Sequence, residues 1–340
     1  MNWNEYADLA QKSLTYFFAA DDQQFLNNFY PTDSPEDNQV FNYWWLAHTV
    51  DVRLDAFLRT ENGAYLELAE ATYTYNKNRN GGTLRHDFYD DMLWNALCAF
   101  RLYKVTEKDA YLEDAVFVWQ DLVDTGWNDI MGGGFAWKRP QMDYKNTPVN
   151  VPFIILSTWL YQELGDKQYL DWALKTYDWQ RKVLVRADGF VEDGINRMGD
   201  SKIDTNWTFT YNQGVYIGAN LGLYRITKEA IYLERAIQTA DISLELLVSD
   251  GVFKDEGEGG DEGLFKGIFY RYLEDLYQLT GEQRYLNFME ESCEILVANA
   301  EKEGHLLMGM DWHKPAASKV PFSAELSGMM ALEMVAKSKK

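Results

Sequence analysis

The sequence predicts an all-α protein of six helical hairpins, an (α/α)6 toroid forming one domain over residues 1–340. Three observations predict it. A tyrosine-based signature recurs along the chain, apolar residues beside its copies follow the helical period, and only 7 prolines occur in 340 residues.

The signature sets the element order. Tyr103 is followed eight positions later by Tyr111-Leu112, and the shape returns at Tyr161 with Tyr169-Leu170, Tyr224 with Tyr232-Leu233, and Tyr277 with Tyr285-Leu286. Phe57 with Tyr65-Leu66 is a degenerate first copy. Copies lie 46 to 63 residues apart, which fits two helices plus a variable loop and exceeds the tetratricopeptide or ankyrin period. An open solenoid would keep a steadier repeat. Each copy reads as a helix end, a polar turn and a helix start, as in Leu164-Gly165-Asp166-Lys167 and Thr280-Gly281-Glu282. Glycine suits the position after a helix, and an acid suits the first turn of the next. Met92, Leu93, Ala96, Leu97 and Phe100 show the helical spacing. Five hairpins are visible, and the segments from Glu5 to Ala19 and from Ala324 to Ala336 supply the sixth.

Charge and composition exclude several function classes. With 32 Lys+Arg against 53 Asp+Glu the net charge is −21, so no nucleic-acid partner and no anionic membrane surface is expected. Cys98 and Cys293 stand alone without a CxxC spacing, so buried free thiols are expected. The four histidines, His48, His86, His305 and His313, lack metal-ligand spacing, so no metal and no cofactor is expected. Glu5 and Asp8 stand where an export signal carries Lys or Arg, and a cytoplasmic location is expected. Trp, Tyr and Phe make up 15% of the chain, suited to a core and also to flat sugar faces.

Between hairpins run long Gly-, Trp- and Asn-rich segments, 126–147, 188–211 and 250–265. A toroid gathers such loops at one end, where functional residues concentrate. The sharpest candidates are Asp90 and Asp91, in Tyr89-Asp90-Asp91-Met92 at a predicted helix N-terminus. Adjacent, partly buried carboxyls should titrate apart, giving one charged nucleophile and one proton donor. A simple helix-start role for the two acids stands beside this reading. The amides Asn146, Asn150, Asn212 and Gln213 can donate to and accept from sugar hydroxyls, although Asn212-Gln213 also suits capping. Trp137 and Trp207, in loops, read as sugar platforms or as packing under a loop. Tyr144 and Tyr211 belong to the same aromatic loop set. Lys145 and Lys266 could hold a carboxylate charged or face solvent. His86 lies near the acidic pair, in the cleft or in a structural hydrogen bond.

These stretches, taken in order over roughly residues 40 to 280, resemble glycoside hydrolase family 76, the α-1,6-mannanases. The resemblance runs through Asp90-Asp91, Gly132-Gly133-Gly134 with Trp137, Tyr144-Lys145-Asn146-Thr147, and Asn150. It continues through Asp193-Gly194, Trp207, Thr210-Tyr211-Asn212-Gln213-Gly214, and Gly260-Asp261 with Phe265-Lys266-Gly267. It implies an (α/α)6 fold and retaining hydrolysis of an α-mannosidic bond, with Asp90 as nucleophile and Asp91 as general acid/base. It further implies a mannose-containing oligosaccharide or polysaccharide as partner, and Asp261, Phe265 and Lys266 as substrate-binding residues. Glu262 departs from the glutamine the family commonly carries there. The competing readings are a non-catalytic carbohydrate-binding protein and an (α/α)6 enzyme of another class, such as an unsaturated glucuronyl hydrolase.

Overall fold

A computed structural model describes residues 1–20, 25–257 and 259–339. Among them run twelve α-helices: α1 Trp3–Phe18, α2 Tyr43–Thr60, α3 Gly63–Arg79, α4 Tyr89–Thr106, α5 Asp109–Thr125 and α6 Thr147–Leu164. The remaining six are α7 Lys167–Val183, α8 Thr210–Thr227, α9 Ala230–Leu247, α10 Glu262–Thr280, α11 Gln283–Ala300 and α12 Phe322–Ser338. The two terminal segments expected to be helical are α1 and α12.

The repeat is a turn written in hydrogen bonds. In every copy the first aromatic residue (Phe57, Tyr103, Tyr161, Tyr224 or Tyr277) offers its carbonyl to the amide four residues on. That acceptor closes the helix on one left-handed residue: Glu61, Glu107, Gly165, Lys228 or Gly281. The second tyrosine, eight positions after the first, donates its amide to the carbonyl three residues before it, opening the next helix. In four copies a threonine (Thr60, Thr106, Thr227 or Thr280) ends the first helix, and its hydroxyl accepts from the amide two residues later. In the third copy Asp166 instead takes the Gln168 amide at 3.0 Å. Glycine is the natural left-handed residue, and three copies do without it.

The chain forms two compact units, residues 1–76 with 246–340 and residues 77–245. In the first, α12 is buried over almost its whole length and packs on α10, α1, α2 and α11. Arg59 of α2 ties this unit together, donating to Glu333 of α12 and Asp8 of α1, both at 2.7 Å.

In the second unit α6 is buried on nearly every side, against α4, α7 and α8. Trp119 of α5 donates to Ser157 of α6 at 2.8 Å. The segments between these hairpins are not wholly irregular. Strands Ala136–Lys138, Gln141–Asn146 and Gly194–Ile195 form a small antiparallel sheet, pairing Ala136 with Lys145 and Asn146 with Gly194. Trp137, Tyr144, Lys145 and Asn146, expected on loops, lie on these strands. Tyr144, Lys145 and Asn146 are all buried there, whichever side of the strand they leave from, whereas Trp137 is half-buried.

Candidate active site

Asp90 and Asp91 sit in the first turn of α4, after Phe88 as the extended N-cap residue. The Phe88 side chain makes no capping hydrogen bond. Both carboxylates lie at the positive end of the helix, which favours negative charge. Phe88 pairs with Lys138, and this bridge brings the Ala136–Lys138 strand against the start of α4. Trp137 then donates Nε1–H to Asp90 Oδ2 at 3.0 Å. Asp90 Oδ1 accepts the Asp91 amide at 3.1 Å.

Asp91 meets different company. Its Oδ2 lies 3.5 Å from His86 Nδ1, and that nitrogen also accepts the Phe88 amide at 3.3 Å. Burial lowers the His86 imidazole from its usual range, against the opposing pull of Asp87. Each oxygen of the Asp90 carboxyl thus accepts an N–H, whereas Asp91 faces the His86 ring. The approach to α4 is clamped from outside. Arg139 donates to the His86 carbonyl at 3.0 Å and to Asp121 of α5, which also takes Arg85.

Behind Trp137 lies a buried carboxylate, Asp193. Tyr144 stands edge-on to Trp137 with ring centroids 5.7 Å apart and donates its hydroxyl to Asp193 Oδ2 at 3.1 Å. Asp193 also receives Tyr211 at 3.2 Å, Asn212 Nδ2 at 2.9 Å and Arg197 Nη2 at 2.7 Å. Burial raises the Asp193 carboxyl, while Asn212, Arg197 and the two tyrosines pull it back. Burial, with Asp193 next, drives the Tyr144 and Tyr211 hydroxyls far above their usual range, so both remain proton donors.

The structure therefore gathers Asp90, Asp91, Trp137, Tyr144, Tyr211 and Asn212 in one cluster, with exposed Trp207 joined to it through Arg197. Four residues expected at a sugar are otherwise engaged. Asn150 brackets Phe135, accepting its amide at 2.8 Å and donating to its carbonyl at 3.0 Å. Gln213 does the same for Val191, at 2.9 and 2.7 Å. Lys145 donates to the Gly134 carbonyl at 2.7 Å, and its burial pushes the ammonium down to about 7. Lys266 donates to the Met310 carbonyl at 2.8 Å. All four are at most 1% exposed, so their groups answer backbone polar atoms that would otherwise be buried unpaired. Asn146 is likewise buried, at the end of its strand.

The Gly132-Gly133-Gly134 motif is a backbone requirement. All three residues have positive φ, and a Cβ on Gly134 would stand 2.7 Å from the Trp179 ring. Asp261, Phe265 and Lys266 belong to the other unit. There Asp261 Oδ1 accepts both Trp44 Nε1 and Trp45 Nε1, at 3.0 and 2.8 Å, and Phe265 lies 6.3 Å from Trp44. Sequence reasoning did not single out Arg197 and Asp204, and it left Asp193 inside a motif without a role. The i, i+4 spacing of Asp193 and Arg197 was the available signal. Among the described residues no group of three or more His, Cys, Asp or Glu side chains could hold a metal ion.

Comparison with known proteins supplies the family. The crystal structure of the Lin0763 protein from Listeria innocua is 70% identical, with a TM-score of 0.99 over 100% of this chain and 98% of that one. An α-1,6-mannanase from Salegentibacter sp. HEL1_6 is 34% identical, with a TM-score of 0.92 over 99% of each chain. An inactive variant of that mannanase, with two consecutive aspartates replaced by alanine, is solved in complex with α-1,6-mannotetrose. A mannan endo-1,6-α-mannosidase of Saccharomyces cerevisiae is 29% identical over 188 residues, 51% of this chain, and the match spans 41% of that relative's length. Family 76 structures are (α/α)6 barrels, the fold class expected from the hairpin repeat. The model of glycosyl hydrolase family 76 matches residues 2–339, and the chain belongs to that family.

Proposed function

We propose that this protein hydrolyses α-1,6-mannosidic linkages by a retaining, two-carboxylate mechanism. The observation that carries the reading is the unequal surroundings of Asp90 and Asp91 on one helix turn. Asp90, with its indole and amide donors, is the nucleophile. Its carboxylate oxygen bonds to the anomeric carbon while Asp91 gives its proton to the departing glycosidic oxygen. Asp91, now charged, takes a proton from water, whose oxygen displaces Asp90 from the anomeric carbon and restores both acids. The Salegentibacter enzyme, inactivated by changes at two consecutive aspartates and found with α-1,6-mannotetrose, supports this reading.

Trp137 and Trp207 present indole faces to sugar rings, and Asn212 and Tyr211 hold Asp193 beneath them. The test uses Asp90→Asn and Asp91→Asn separately on α-1,6-mannooligosaccharides, with proton NMR of the first-formed anomer. Each variant is expected to lose about 10³-fold or more in kcat, within the span known for carboxylate and other catalytic-group removals. The wild type is expected to release the α-anomer first. Wild-type rates in either variant, or a β-anomer first, would overturn the assignment.

A further inference from the structure

The segment between the Gly194–Ile195 strand and α8 carries Trp207, which is 42% exposed. Arg197 lays its guanidinium over this indole, with Cζ 3.6 Å from the ring centroid. The guanidinium is itself fixed from below. Its Nε donates to Asp204 Oδ2 at 3.0 Å, and its Nη2 donates to Asp193 Oδ2 at 2.7 Å and to the Tyr144 hydroxyl. Its Cζ also stands 4.5 Å over the Tyr144 ring. A planar guanidinium lies flat against a ring while its edge donates to two carboxylates, a geometry that the compact point charge of a lysine does not reproduce.

The contacts run on toward the reacting pair. Tyr144 meets Trp137 edge-on, and Trp137 donates to Asp90. Trp137 therefore stands at the nucleophile, and Trp207 is set apart from it by Tyr144 and Arg197.

The geometry points to Arg197 as a positioning residue that fixes Trp207 as the platform for a mannose unit distant from the scissile bond, so that Arg197 sets the preference for longer substrates. This inference rests on the mannanase reading above. An exposed indole on an irregular segment would lose orientational freedom when a sugar docks, and one already immobilised by a stacked guanidinium loses less. The buried Asp193, with its tyrosine and amide donors, keeps the guanidinium in place.

The experiment compares kcat and KM on α-1,6-mannobiose and α-1,6-mannotetraose for wild type, Arg197→Gln, Arg197→Lys, Trp207→Ala and Arg197→Gln/Trp207→Ala. Thermal unfolding checks that each variant is folded. Arg197→Gln is expected to raise KM for mannotetraose by up to about tenfold, the size of one lost aromatic contact, and to change mannobiose much less. Arg197→Lys, which keeps the charge beside Asp193 and Asp204, should behave in the same way. The double variant should be no worse than Trp207→Ala alone, because residues acting through one contact are not additive. Equal losses on both substrates, losses confined to kcat, or additive losses in the double variant would overturn the role of Arg197 while leaving the mannanase reading intact. A wild type that neither hydrolyses nor binds either substrate would overturn both.

Discussion

Trp137 reaches across from its strand to place Nε1 3.0 Å from Asp90 Oδ2, putting an N–H donor on a first-turn carboxylate of α4. An indole in that position keeps the carboxylate oriented and favours its charged form. Trp137→Phe keeps the ring and removes the donor. A hydrogen bond to a charged group contributes about 1.5–3 kcal/mol, so kcat should fall about 10- to 100-fold. The acid limb of the pH–rate profile should move to higher pH, because a carboxylate that loses a donor takes up a proton more readily. An unchanged acid limb in steady-state kinetics would count against the donor's role.

His86 gives a stability signature. Burial holds its folded-state pKa below the usual value near 6.5, so in that window the unfolded chain binds a proton that the folded chain does not. The contribution of the neutral ring is complete above about pH 6.5 and is lost as the pH falls through that value toward the folded one. His86→Asn keeps an acceptor for the Phe88 amide and does not titrate. Its melting temperature, followed by calorimetry from pH 7.5 to 5, should fall less steeply than that of the wild type. Parallel curves would assign the acid sensitivity to other groups.

Gly194 leaves no room for a side chain. A Cβ there would fall on the Tyr144 hydroxyl, with Tyr144 Cε2 at 2.7 Å, and Tyr144 is fully buried. Gly194→Ala must push Tyr144 off Asp193. Overpacking of this kind costs about 1–3 kcal/mol, read as a lower urea midpoint with an unchanged slope. Activity should fall with it, since Trp137 packs on the displaced ring.

Glu325 of α12 is fully buried; one oxygen accepts the Met308 amide at 2.8 Å and the other has no hydrogen-bond partner among the described residues. Burial raises this carboxyl well above its usual range, against the pull of the Met308 amide. The folded chain therefore holds a proton that the unfolded chain releases above about pH 4.3. The contribution is complete below that pH and is lost as the pH rises through the folded value. Glu325→Gln matches the neutral form without titrating. Its stability advantage over wild type should grow from pH 5 to 8, by at most about 1.4 kcal/mol per pH unit. A constant difference in denaturant titrations would show that Glu325 titrates alike in both states.

The sequence by itself determined the hairpins, because everything that ends one helix and starts the next lies within eight residues. The aromatic carbonyl, the left-handed residue four positions on and the second tyrosine's amide are local, so they repeat as text. Asp90 and Asp91 were legible for the same reason, being neighbours on one helix turn.

Tertiary structure alone decided what the amides and cations do. An asparagine presents the same donors and acceptors to a sugar as to a peptide group, and only burial distinguishes the two partners. Asn150 and Gln213 lie where backbone groups of Phe135 and Val191 needed them, and Lys145 where the Gly134 carbonyl did. The cluster on Asp193 draws on Tyr144, Arg197, Tyr211 and Asn212 from a strand, a loop and a helix. No spacing along the chain encodes that convergence. It arises because a carboxylate removed from water must find donors wherever the packed chain brings them.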